Sequence, residues 1–274
     1  MSAVATTPSS EALLDAPAAR IGPRSLVRHT LTITRRNLLQ VRNNPQLLVF
    51  IAIQPILFVL LFVYVFGGAI SGSSRDYVQF VIPGIIVQTV VFGTVMTGIG
   101  LSEDLAKGII DRFRSLPIAR SAVLTGRILA DGARTTAAVL ITTAVGMLLG
   151  FRLGSGPVAA LGAFALAVGF GTAFAWIAAT IGLTVRNPET AQSAGFLWMF
   201  PLTFASAAFA PAASMPGWLQ PIVEANPITV VTEALRALTT GGSAIGPVLQ
   251  SIAWIAGLTL VFAPLAIRQY RRLA

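Results

Sequence analysis

The sequence predicts an all-α membrane protein with six transmembrane helices, on three observations. Of 274 residues, 55% are hydrophobic and only 11% are charged, against about 25% charged in an average soluble domain. Mean hydropathy is +0.79, more apolar surface than a globular core of this length needs. Apolar runs of about the 20 residues required to cross a bilayer recur along the chain. Basic residues gather between alternate runs, as the positive-inside rule requires.

Residues 1–22 are rich in Ala, Ser, Thr and Pro. They lack a basic stretch followed by an apolar one, so they are expected to be a disordered cytoplasmic tail and not a signal peptide. From Arg24 to Asn43, Val27, Leu31, Thr34, Leu38 and Val41 form a heptad-like stripe, with Arg28, Arg35 and Arg42 seven apart beside it. That pattern predicts an amphipathic interface helix, apolar side down and arginines reaching anionic lipid. Asn44-Pro45 ends it.

Residues 46–66 make the first expected span, kinked at Pro55. Span two covers 77–101 and carries Pro83 and Gln88. Span three, 121–151, is roughly 30 residues, or about 45 Å as a helix, so its first turns should protrude. Those turns carry Arg127, Asp131 and Arg134, spaced to form an ion-pair network on one helix face. Span four, 157–185, is dense in Gly and Ala, which favours close helix packing. Span five covers 190–210 and span six 247–267. Between them, residues 211–246 are too broken by proline to cross. They are expected as short re-entrant outer helices, one from Pro227 to Thr239 with Val231, Leu235 and Leu238 inward and Trp218 as an interfacial anchor.

Orientation follows from the basic residues. With the N-terminus inside, fifteen lie in the inner segments (Arg20 to Arg42, Lys107 to Arg127, Arg186, Arg268 to Arg272) and three in the outer ones (Arg75, Arg152, Arg236). Both termini are therefore expected in the cytoplasm.

The most charged stretch runs from Ser102 to Arg120, SEDLAKGIIDRFRSLPIAR, between spans two and three. It contains the sole lysine, Lys107, and three acids, Glu103, Asp104 and Asp111. Leu105, Ile109, Phe113 and Leu116 recur at helical spacing, leaving the other face charged. Ser102 is placed to cap a short helix, with Glu103 and Asp104 where its dipole favours anions. Arg112 and Arg114 fall in the last turn, and Pro117 ends it.

Several chemistries are excluded. A net charge of +9 would suggest nucleic acid in a soluble chain, but here the basic residues flank spans and do not alternate with exposed aromatics. No cysteine is present, so there is no disulfide or thiolate chemistry. The only histidine, His29, rules out an HExxH zinc site and a Ser-His-Asp triad. No metal site is expected. A membrane aspartyl protease needs two carboxylates at depth, and only Asp131 qualifies. A P-loop needs GxxxxGK[ST], and the one lysine sits in AKG. The chain is expected not to be an enzyme by itself, but a pathway driven from elsewhere.

The run DLAKGIIDRFRSLPIARSAVLTGRILAD, Asp104 to Asp131, resembles the ABC-2 class of ATP-binding-cassette export permeases, and within it the daunorubicin-resistance type. The class pattern is an acidic residue, a glycine, LxxLP, an arginine and GRxLAD; here no second leucine precedes Leu116. Further echoes are VFGGAI from Val65, PGIIVQT from Pro83, FPLTFAS from Phe200 and MPGWLQPIVEANPIT from Met215. The resemblance covers roughly Arg24 to Tyr270 and implies one ABC-2 transmembrane domain over 23–274. It implies a bacterial plasma-membrane protein working as a dimer, with a second copy or a paralogue. Two separate ATPase subunits would bind the ATP and Mg; this chain would bind no cofactor.

It also implies that the charged stretch is the coupling helix. Its apolar face is Leu105, Ile109, Phe113 and Leu116. Its charged face is Asp104, Lys107, Asp111, Arg112 and Arg114, with Gly108 permitting close approach and Pro117 closing the segment. Gln54, Gln88 and Gln192 are candidate pore-facing groups; interhelical hydrogen bonds explain them equally. Spans two and five, lined by Phe, Met, Val and Gly, suit a hydrophobic or amphiphilic drug taken from the inner leaflet. The alternatives are a permease for a lipid, glycolipid or polysaccharide, and a non-transporting scaffold or immunity subunit.

Overall fold

The computed structural model describes residues 45–67, 74–109, 120–185 and 187–273, together with Thr32 and Thr34. The described residues are helical with short connections and contain no strand. Helix α1, Pro45–Leu60, passes into a π-helical turn at Leu61–Phe66. Helix α2 is Ser74–Gly93 and α3 is Val95–Ala106. Then come α4, Arg120–Leu148, α5, Gly156–Thr184, and α6, Pro188–Phe204. A 3₁₀ turn at Ala212–Ser214 leads to α7, Gln220–Ala225, α8, Pro227–Thr240, and α9, Ile245–Leu273.

Among the described residues, four helical stretches are long and apolar enough to cross a membrane: Tyr77–Ala106, Leu124–Leu148, Gly156–Thr184 and Ile245–Arg272. Ala52–Phe66 is apolar but shorter. Helix α6 has 17 residues, about 25 Å, and stops at Phe204 where the sequence suggested a span to 210. Pro201 lies in its last turn, and residues 205–210 form bends and turns. The last helix runs past the expected 267, so the basic tail is helical to Leu273.

The second span is the principal revision. It does not end near 101. A turn at Thr94 divides it, and α3 then continues through Ser102 to Ala106. Ser102 is therefore not an N-cap: its side chain is fully buried, and its hydroxyl donates back to Ile99 O at 3.2 Å. Leu101 belongs to a buried cluster with Leu124, Ile128, Trp176, Ala179, Leu183 and Tyr270, with Leu105 packed against it. That packing keeps the chain helical through the charged residues, where local capping chemistry alone suggested a new start. The helix stops at Gly108, whose φ of 62° is left-handed. This glycine terminates a helix, a role its left-handed backbone explains.

The small residues of α5 do allow close packing. A Cβ on Gly182 would collide with the backbone of Gly98, and one on Gly98 would press on Ala178 O. Between helices in lipid there is little hydrophobic drive, so such backbone proximity supplies the dispersion that holds the pair. The larger core cluster lies along α2, where Tyr77, Val81, Ile82 and Ile85 are fully buried, and takes in Phe170, Phe174 and Met199. By contrast α9 presents Ile245, Leu249, Ile252, Leu260 and Val261 outward.

Replacing Gly182 by valine should force α3 and α5 apart at a cost of about 1–3 kcal/mol. Size-exclusion chromatography of the solubilised variant should show less monodisperse protein, while the same change at Gly257, which has no neighbour within reach of a Cβ, should be tolerated.

Candidate functional site

At the Lys107 end of the bundle, α3 delivers a cluster of charges. Glu103 and Lys107 pair one turn apart at 2.9 Å, both well exposed. Glu103 holds the Lys107 ammonium above its usual pKa by hydrogen bonding and by charge. Such a surface pair adds little to stability. Asp104 faces the other way and pairs with Arg127 of α4, the two side chains 30% and 24% exposed. Gly100 makes this possible, since a Cβ there would occupy the space of the Arg127 guanidinium. Leu105 and Ile109 are half-buried, and Gly108 lies at the turn. Asp111, Arg112, Phe113, Arg114, Leu116 and Pro117 lie outside the described residues, as does nearly all of the 24–43 stripe. Of the latter, Thr34 is helical and its hydroxyl donates to Gly126 O of α4 at 3.1 Å.

The expected network of Arg127, Asp131 and Arg134 is divided. Arg127 goes to Asp104, twenty-three positions away, instead of to Asp131 on its own helix. Asp131 and Arg134 do pair, at 3.1 Å, with side chains only 15% and 17% exposed. Both also reach the second span. The Thr97 hydroxyl donates to Asp131 Oδ2 at 2.6 Å, and Arg134 Nη2 donates to Gly93 O at 2.9 Å. Interhelical hydrogen bonds to charged groups are worth roughly 1.5–3 kcal/mol each.

The three glutamines do not meet. Gln54 and Gln192 lie on outward faces of α1 and α6. Gln88 is 1% exposed, deep in the α2 core, and neither amide atom has a hydrogen-bond partner.

Sequence reading missed a second polar site. It counts Arg236 among the charges of the outer segments, yet the residue is 8% exposed. Its Nε donates to Phe80 O at 2.9 Å, and Nη2 donates to Ala207 O and Ala208 O at 2.8 and 3.0 Å. Nη1 pairs with Glu233 at 2.7 Å, and the guanidinium lies 3.6 Å over the Phe80 ring. Around it, Asn226 Nδ2 donates to Leu202 O and Ala205 O, both at 2.7 Å, while its Oδ1 caps α8. Tyr77 Oη donates to Phe209 O at 2.8 Å, and Thr229 Oγ1 accepts from Ala207 N. The backbone freed where α6 stops is thus satisfied from α2 and α8. The signal available in the sequence was Arg236 falling one turn beyond Thr232 on the face of α8 that holds Ile228, Val231 and Leu235.

Glycine-paired helices, long apolar segments and a charged end on the second span define a class of polytopic membrane protein rather than a soluble catalyst. The chain belongs to the ABC-2 type transporter family, whose model matches residues 28–239. It is 40% identical over 245 residues to the daunorubicin resistance ABC transporter permease protein DrrB1 of Streptomyces coeruleorubidus, covering 89% of this chain and 87% of that one. It is 29% identical over 258 residues to a probable doxorubicin resistance permease, DrrC, of Mycobacterium tuberculosis, covering 93% of each. Similarity extends to a putative transport permease, ycf38, of Cyanophora paradoxa, 28% identical over 224 residues. The chain is a multi-pass membrane protein of this family.

Replacing Arg236 by alanine should strand buried carbonyls and destabilise the fold by on the order of 3 kcal/mol. Lysine should rescue it only in part, because a point charge cannot serve three carbonyls in a planar fork. Thermal inactivation of the solubilised protein, followed by loss of its monodisperse peak, reads the difference.

Proposed function

We propose that this chain is the membrane-spanning permease subunit of an ATP-driven exporter that moves a hydrophobic or amphiphilic drug out of the cell. The observation that carries this is the similarity along nearly the whole chain to permeases named for daunorubicin and doxorubicin resistance. Of the two spans expected to line the cargo route, the second is mostly buried, whereas α6 in the fifth exposes Leu197, Phe200 and Phe204, a face compatible with such a cargo. The permease has no P-loop lysine in its sequence, so ATP and Mg belong to a partner ATPase.

In this proposal the chain crosses the plasma membrane six times, with both termini in the cytoplasm. Helices α1 and α6 supply the first and fifth crossings, and residues 211–246 cap the outer side. Two permeases, as copies or paralogues, act with two ATPases. Residues Asp104 to Pro117 meet the ATPase, and the Asp104–Arg127 pair carries its displacement into α4. In sequence, Asp111, Arg112 and Arg114 supply further charges to that segment after Gly108.

The test is doxorubicin uptake into inverted vesicles containing the permease and its ATPase. Uptake should need both proteins and ATP, and should vanish with a catalytically dead ATPase. Reversing the charges of Asp111 and Arg112 together should reduce uptake while leaving the permease in the membrane. Full, ATPase-dependent uptake by that double variant would remove the segment from the coupling role.

A further inference from the structure

The second span is irregular at one place, a single turn residue, Thr94, between Gly93 and Val95, where the ladder tightens although Thr94 itself keeps a helical φ and ψ of −71° and −18°. In an unbroken helix the Thr97 N–H would donate to Gly93 O. Here it donates to Thr94 O at 2.9 Å, and the Thr94 hydroxyl turns back to Val91 O at 2.7 Å. Gly93 adds backbone freedom, and nothing lies within 4 Å of where its Cβ would be. A glycine beside a back-bonding threonine is a recognised cause of helix bending. The carbonyl released by the break would be costly to leave bare at this depth.

Arg134 satisfies that carbonyl, and Asp131 holds the far side of the break through Thr97. The chain of contacts runs Gly93 O, Arg134 Nη2, Asp131, Thr97 Oγ1, at 2.9, 3.1 and 2.6 Å. One residue before the break and one after it are thus tied to a single ion pair on α4. Below the break, α3 is fixed to α4 by Asp104–Arg127 and to α5 by the Gly98–Gly182 approach, and it ends in the charged Lys107 turn. Above it, α2 packs with α4, where Ile82 abuts Gly146, and with the turn after α6, where Gly84 abuts Ala208. Both halves of the span therefore rest on α4 and α5, but at different levels, Val90 against Gly171 on one side of Thr94 and Gly98 against Gly182 on the other, and they share one joint.

We propose that Gly93–Thr94 is a hinge in the second span and that Asp131 and Arg134 are positioning residues splinting it, so that displacement of α3 by the ATPase reaches the cargo-bearing half of the bundle. The coupling half of this statement rests on the export function proposed above; the hinge and its splint do not. Bending at Thr94 separates Gly93 from Thr97, so the ion pair cannot keep both contacts. An intact splint holds one angle, and a broken one lets α3 move without α2.

The chain has no cysteine, so cysteines placed at Met96 and Leu140 carry the only spin labels. Both positions are exposed, at 51% and 53%. Met96 lies just beyond the break, and Leu140 lies on the half of α4 toward its α2 contact. Pulsed electron-spin distance measurements need neither cargo nor ATPase. The parent should give one narrow distribution. Arg134→Gln, and the uncharged, near-isosteric Thr97→Val, should each broaden it or add a second population, and Arg134→Lys should restore it. In vesicles with the ATPase, doxorubicin moved per ATP hydrolysed should fall by about fivefold or more in the first two variants, the lower end of ordinary coupling between sites, with hydrolysis itself continuing.

If Arg134→Gln does not reach the membrane, Thr97→Val decides. A narrow, unchanged distribution in Thr97→Val overturns the hinge. A broadened distribution with an unchanged cargo-to-ATP ratio overturns its role in coupling. If the parent moves no doxorubicin while the distances shift as expected, the hinge stands and the cargo assignment falls.

Discussion

Backbone carbonyls released where helices stop inside an apolar layer are the constraint on which this structure depends. Water is absent there to accept or donate, so every interruption needs a side chain brought from another element. Two interruptions are prominent. At the end of α6, carbonyls of residues 202, 205, 207, 208 and 209 are taken up by Asn226, Arg236 and Tyr77. In the second span, Gly93 O is taken up by Arg134. In both places a guanidinium supplies the donors and a carboxylate on the same helix, three residues earlier, balances its charge. Arginine suits the task because its donors are fixed in a plane and its charge is weakly hydrated.

The two sites differ in what they hold. Arg236 binds three elements at one level: α2, α8 and the turn following α6. It is buried, sits on an aromatic face and makes contacts in every direction. Arg134 and Asp131 hold one joint within a single span, with fewer contacts and beside the open space at Gly93. The Arg134 arrangement is a short chain of hydrogen bonds beside the packing of α3 on α5, which does not involve it. A rigid clamp and a releasable splint follow from the same chemistry and from how many neighbours share it.

Much of this was legible in the sequence. The apolar runs, the glycine-rich α5 and the amphipathic helix of Pro227–Thr240 follow from hydropathy and periodicity, which depend only on near neighbours. The residues at 127, 131 and 134 stood out because charge inside an apolar run is costly. Their partners were not legible. Spacing along one helix favoured Arg127 with Asp131, but the crossing of α3 and α4 places Asp104 against Arg127 and leaves Asp131 to Thr97. The Ser102 cap was wrong for a related reason: a serine followed by acids marks a helix start only where the chain is not already held helical by packing on either side.

Taken alone, the sequence determined the class of molecule: an apolar, cysteine-free, basic chain of long helices without a phosphate-binding loop. It also determined which residues are too polar for their surroundings. Only the tertiary structure decided which carbonyls those residues serve, that the second span carries an irregular turn at Thr94, and that Arg236 is interior. Composition and period are summed over neighbours in sequence, whereas a broken helix is completed by whatever side chain the fold brings near, as Arg236 is brought to Phe80 across 156 positions.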